Sequence, residues 1–215
     1  MGKRFIITHS SHYFPAFGEA SLFKRNGIMN VTEAIGADMV VKNSTNICLA
    51  AQYIGTGVNY LGGYSNYFYN LKVADVFHEP ARLNVIQYSL GLKKFRRKVP
   101  APIGFYMKWE ALFLRCYLSY DAGNFNETGI NTNKFNKGSG TGKVRSNGMG
   151  FAYSVGMQRI LWDKLVVDYG ARVELCGITG YSETNTSAYM MRNANTRILN
   201  HQILALKLGI GYLAF

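Results

Sequence analysis

Near the start of the chain stands "THSSHY", where His9, Ser10, Ser11 and His12 set two imidazoles beside two hydroxyls. A serine hydrolase needs nucleophile and base within hydrogen-bond reach, and a third group to orient the base. Adjacent residues on a strand point to opposite faces, so only His9 with Ser11, or Ser10 with His12, makes a sensible pair. No orienting acid is identifiable from the sequence, and the plainer reading is a polar strand end. "GSGTGK" (138–143) has the look of a phosphate loop, but Lys137 stands where that motif requires glycine, and no Ser or Thr follows Lys143. Cys48, Cys116 and Cys176 have no metal-binding spacing and read as small packed hydrophobes. No motif for a cofactor, a metal or nucleic acid is present, so none of these is expected as a partner.

A third set of reactive side chains lies inside alternating segments. Asp38, Lys93, Lys108, Glu110, Asp168, Arg172, Glu174 and Lys207 all fall on the less apolar side of such segments. Buried carboxylates in company can act as acid and base, and a line of charges can carry ions. The same residues can also pair with one another and simply fill a polar interior, and this third reading is the expected one.

The elements that must position these residues are strands. In "LVVDYGARVELC", Val167, Tyr169, Ala171, Val173 and Leu175 alternate with Asp168, Gly170, Arg172 and Glu174. In "NVIQYSLGLKK", Ile86, Tyr88, Leu90 and Leu92 alternate with Gln87, Ser89, Gly91 and Lys93. Period-two alternation is the strand signature. The polar faces are rich in Gly, Ala and Ser, unlike the solvated face of a soluble sheet, which favours side chains such as Thr. Small residues with a few charges suit a cramped polar interior, while large aliphatics and aromatics suit a lipid-facing exterior.

Composition agrees. The 215-residue chain is 48% hydrophobic and 17% charged, with 15 Tyr, 13 Phe and 23 Gly. Its net charge of +12 points to anionic surfaces. Strands are expected near 4–10, 28–41, 46–60, 83–95, 105–120, 147–161, 165–178 and 197–215. The intervals between them alternate between short turns and long polar stretches, as in membrane barrels. The expected fold is therefore all-β: one domain over 1–215, an eight-stranded antiparallel up-and-down transmembrane β-barrel. Rings at Trp109, Trp162, Tyr53, Tyr60, Tyr106, Tyr117, Tyr120 and Tyr212 are expected to form an aromatic girdle near headgroup depth. Glu33 shares parity with Val31, Ile35 and Met39, which predicts a bulge that turns it inward. Arg115 has outward parity and is expected to reach the outer headgroups.

The final segment, "LALKLGIGYLAF", carries a lipid stripe that includes Leu208, Ile210 and Tyr212 and ends on an aromatic, Phe215. It resembles the terminal strand signal of small bacterial outer-membrane barrels, the OmpA/OmpX-like eight-stranded class. The resemblance implies recognition by the barrel-insertion machinery and residence in the bacterial outer membrane, with a signal peptide removed before this numbering begins. Phe215 is out of step with the stripe, which predicts a bulge or an overhang at the chain's end.

Basic residues gather at the short-turn side, with Lys94, Arg96, Arg97 and Lys98 at their centre. They are expected to meet phospholipid and lipopolysaccharide phosphates or an acidic protein partner. A barrel of eight strands has no open pore. The expected function is a non-enzymatic structural or accessory subunit of a larger outer-membrane assembly, of the secretion or barrel-insertion type. The alternatives are a lipid-modifying enzyme using His and Ser at the rim, since some small outer-membrane barrels have such activity, or a narrow channel.

Overall fold

Strands with one greasy and one small or polar face must hide one face from each solvent, and closing the sheet does this without leaving an edge. In the computed structural model the strands are β1 (Phe5–Phe14), β2 (Asn30–Lys42), β3 (Thr45–Val58), β4 (Ala81–Phe95), β5 (Gly104–Asp121), β6 (Thr141–Leu161), β7 (Leu165–Thr179) and β8 (Leu204–Ala214). Each pairs antiparallel with the next and β8 pairs with β1, giving a closed eight-stranded barrel. The structure describes residues 5–14, 30–42, 44–58, 81–96, 101–121, 141–179, 195 and 204–214.

The alternation sets the faces as the sequence predicts. Leu90, Leu92, Phe151, Leu175, Leu206, Leu208 and Ile210 are among the large apolar residues exposed on the outside. Gln87, Ser89, Lys93, Glu110, Asp168, Arg172 and Glu174 are buried on the inside. Such a wall is stable only against hydrocarbon, because a soluble protein seldom exposes so continuous an apolar surface.

Two expectations are corrected and a third is narrowed. Glu33 is exposed on the outer wall: β2 pairs with β3 in uniform register from Glu33 to Val40, and its irregularity lies between Val40 and Lys42. Ser11 and His9 of β1 satisfy the Glu33 carboxylate where it stands, so no bulge is needed to turn it inward. Tyr106, expected among the interface rings, is 1% exposed inside the barrel, because its parity is that of Lys108 and Glu110. At the chain's end, pairing with β1 is unbroken through Ala214, with Leu213 turned inward and Tyr212 outward, so no bulge falls between them. Phe215 itself lies outside the described residues. Arg115 is exposed on the outer wall, as its parity requires.

Glycine makes room inside. A Cβ on Gly156 would stand 2.6 Å from the Tyr106 hydroxyl oxygen, so this glycine of β6 is what lets the ring lie across its neighbour strand. Replacing Gly156 with Val is expected to lower barrel stability by about 1–3 kcal/mol through overpacking. In a Tyr106→Ala background the same change should cost less, the remainder coming from the Tyr169 backbone oxygen, which would stand 2.7 Å from the same Cβ. Urea unfolding of the four proteins, followed by heat-modifiable gel mobility, measures the coupling; equal costs in both backgrounds would refute the contact.

Candidate functional site: the ionic lumen

The lumen is built from long charged side chains laid beside small residues. Glu110 is paired in register with Gly91 and Ala152, Glu174 with Ala152, Arg172 with Ser154 and Ala205, and Asp168 with Gly209. A small neighbour leaves the charged chain free to turn from the wall toward the axis. The Gly, Ala and Ser on the inner parity therefore provide the volume that the charges occupy.

Two ion-pair groups result. In the first, Lys93 Nζ donates to Asp38 Oδ2 at 2.6 Å and to the Gln158 side-chain oxygen at 2.8 Å, and lies 3.4 Å from Asp168 Oδ2. Lys207 donates to the same Asp168 oxygen at 2.8 Å, and the Tyr106 hydroxyl donates to Asp168 Oδ1 at 2.5 Å. The Lys93 ammonium also stands 4.5 Å from the Tyr106 ring centre, within cation–π range. In the second group, Lys108 pairs with Glu110 at 2.9 Å, and Arg172 bridges Glu110 and Glu174, the latter at 3.0 Å. Gln87 donates to Glu174 at 3.2 Å.

All eight charged residues named from the sequence for the lumen thus meet there, four cations against four carboxylates. The layer is neutral, so the net +12 of the chain resides elsewhere. Three of these six ion pairs join strands that are not neighbours. Lys93 of β4 reaches β2 and β7, and Arg172 of β7 reaches β5. They are cross-braces through the axis.

Sequence reasoning missed what lies above and below this layer. Toward the long-loop end, Ile54, Leu83, Val85, Leu112, Leu114, Cys116, Leu118, Ala152, Cys176 and Ile178 form an apolar core inside the barrel. Toward the short-turn end, Ile6, Val166 and Leu213 form a second one, packed with Ile160. The signal was available: in β4 and β5, Leu83, Val85, Leu112, Leu114 and Leu118 share parity with the charged residues. All three cysteines are buried and unbridged, two of them within the first core. A void of about 20 Å³ is left among the charges, room for about one water molecule.

Of the basic residues expected at the short-turn rim, Lys94 and Arg96 are exposed there, and Arg97 and Lys98 lie outside the described residues. Leu208, Ile210 and Tyr212 of the terminal strand are exposed on the outer wall.

A closed antiparallel barrel with an apolar outside and an ion-paired inside defines the class: a small eight-stranded transmembrane β-barrel. No family model matches the chain, and no curated protein matches it in sequence. Among solved structures it is similar to Neisserial surface protein A, at 11% identity and a TM-score of 0.45, covering 98% of this chain and 97% of that one. It is also similar to Ail, the attachment invasion locus protein of Yersinia pestis, at 10% identity and a TM-score of 0.48, covering 99% of each chain. A major outer membrane protein from Thermus thermophilus is similar at 15% identity and a TM-score of 0.48, covering 97% of this chain and 98% of that one.

Because Lys93 braces two carboxylates in a layer closed to solvent, Lys93→Ala should destabilise the barrel by about 3–5 kcal/mol by leaving Asp38 unpaired. The volume-matched pair Lys93→Met with Asp38→Leu should recover most of that loss, since Asp168 keeps Lys207. Equilibrium unfolding in lipid vesicles checks both. A double variant no more stable than Lys93→Ala would show that the ionic pair itself, and not the orphaned charge, sets the cost.

Proposed function

We propose that this chain is a bacterial outer-membrane barrel without an open pore. It serves as a lipid-embedded scaffold that presents its long connections on one side of the membrane and a basic rim on the other. The single observation that carries this reading is the sealed lumen: a neutral, mutually paired ionic layer between two apolar cores. A hydrated ion entering from the long-loop side would meet the apolar side chains of β3 to β7, with His12, Thr32 and Gln52 beside them, before any charge, and each lumen charge among the described residues already has a partner. The apolar wall suits hydrocarbon, and closed barrels are one of the two structures that can span it with all backbone groups satisfied.

The rim is the part of the molecule suited to protein or lipid contact. Lys42, Lys94, Arg96, Arg159 and Lys164 are exposed at the short-turn end, where Asp163 is the exposed acid among the described residues. This supports contact with lipid phosphates and with an acidic periplasmic partner, as an accessory subunit of a larger outer-membrane assembly. Insertion through the barrel-assembly machinery, directed by the β8 stripe, belongs to the same proposal.

Planar-bilayer recording tests the seal: the folded protein should give no sustained conductance steps, and reproducible ohmic channels would overturn the reading. Fractionation should place the protein in detergent-extractable outer membrane. Extraction in mild detergent tests the partner. Substituting Arg96, Arg97 and Lys98 with Glu should release proteins that co-purify with the native chain, and an unchanged set would remove the rim from the proposal.

A further inference from the structure

The outer wall carries a group of polar side chains in mutual contact that neither the lumen nor the rim accounts for. His9, Ser11 and Glu33 stand together on the lipid-facing side of β1 and β2. The Ser11 hydroxyl donates to Glu33 Oε2 at 2.9 Å, and His9 Nε2 lies 3.1 Å from the same oxygen. The His9 and Glu33 side chains are about half exposed, at 55% and 52%. Around them the wall is apolar: Val31 and Ile35 flank Glu33 on its own strand, and Leu208 and Ile210 of β8 pair with Ser11 and His9. An ionisable residue at such a place calls for a reason, because lipid exposure of a carboxylate is costly. Its own ladder offers no structural one, as β2 runs through Glu33 in regular register.

A second feature adjoins it. An open apolar groove of about 720 Å³ runs down the outer wall, lined by Ile7, Ile35, Ile210 and Tyr212, with His9 on its wall and Trp162 and Lys164 at its short-turn end. Its lining is that of a seat for a hydrocarbon chain, and the imidazole borders it directly.

We propose that His9, Ser11 and Glu33 form an esterase site on the lipid-facing wall that cleaves the acyl esters of membrane lipids, with the groove holding an acyl chain. Ser11 is the nucleophile, His9 the general base and Glu33 the positioning residue. With Nε2–H donated to Glu33, the imidazole presents Nδ1 as its unprotonated nitrogen. Residues i and i+2 share a strand face at a spacing of about 6.7 Å. The reaction requires the Ser11 hydroxyl to turn from Glu33 toward Nδ1, as catalytic contacts often tighten only when substrate is bound. The Ser11 oxygen then attacks the ester carbonyl carbon while its proton passes to His9. The carbon–oxygen bond to the lipid alcohol breaks, and His9 returns the proton to that alcohol. Water next attacks the acyl-Ser11 ester, His9 takes its proton and gives it to Ser11, and a free fatty acid leaves beside a lyso-lipid. Water is the sole co-reactant, and no electrons are exchanged. The inference revises the non-enzymatic expectation for the wall and leaves the sealed lumen untouched, since the two share no residue.

The test uses the full chain, folded in detergent, with two substrates offered separately: mixed phosphatidylethanolamine and phosphatidylglycerol, and purified lipopolysaccharide. Fatty acid release is read by mass spectrometry, and the arm that responds identifies the lipid class. Ser11→Ala and His9→Ala should each lower release by about 10²–10⁴-fold, with heat-modifiable mobility unchanged. Glu33→Gln should lower it and Glu33→Asp restore part of it. As an independent readout, a fluorophosphonate probe should label Ser11 in the native chain and fail in His9→Ala. Release from neither lipid with no labelling of Ser11, or undiminished release by folded Ser11→Ala, would overturn the proposal.

Discussion

Lys93 is the side chain on which the rest of the interior depends. It starts on β4 and is held by Asp38 of β2 and Asp168 of β7, with Gln158 of β6 taking a third donor and the Tyr106 ring of β5 beneath it. One ammonium thus ties together five of the eight strands. Burying it is tolerable only because each donor has an acceptor, since an unpaired charge in such a place is far more expensive than a paired one. Lys93 itself pairs in register with Asn46 and Lys108, and small residues stand beside Glu110, Arg172, Glu174 and Asp168 at Gly91, Ala152, Ser154, Ala205 and Gly209.

The two apolar cores follow from the same constraint. An ionic layer open to water would lose much of its strength to screening and competition. Leucines and valines on the inner parity of β4 and β5, and Ile6, Val166 and Leu213 at the opposite end, close it on both sides. Along β4 to β7 the interior is therefore apolar beyond the ionic layer, while His12, Thr32 and Gln52 make the facing side of β1 to β3 polar, and the exterior is apolar for most of the wall. Among the described residues, the cluster of His9, Ser11 and Glu33 is a departure from that exterior pattern, as is Arg115. It carries a carboxylate that the interior did not absorb, although the interior already holds four.

Much of this was legible in the residues themselves. Alternation gave the number of strands and the two faces, and all eight lumen charges sit where parity placed them. For Tyr106, an aromatic near a strand end suggests the interface, while its parity with Lys108 and Glu110 sends it inside. For Glu33 the case is the opposite. The cost of a lipid-facing carboxylate suggested a bulge, but partners on β1, more than twenty residues away in the chain, satisfy it in place. The inner apolar cores are hard to read from the sequence because a leucine on a polar parity is inconspicuous when the other face is also apolar.

The sequence by itself determined the periodicity, and with it eight strands, a greasy outside and a charged, small-residue inside, because side-chain direction along a strand depends only on local backbone geometry. Which charges meet was decided by the tertiary structure alone. Lys93 and Asp38 are 55 positions apart, and Lys93 and Asp168 are 75 apart. Their contact requires the strand registers and the closure of β8 on β1, which no local pattern encodes. The same closure brings Leu208 and Ile210 of the final strand beside Ser11 and His9 of the first, so that two ends of the chain build one lipid-facing surface.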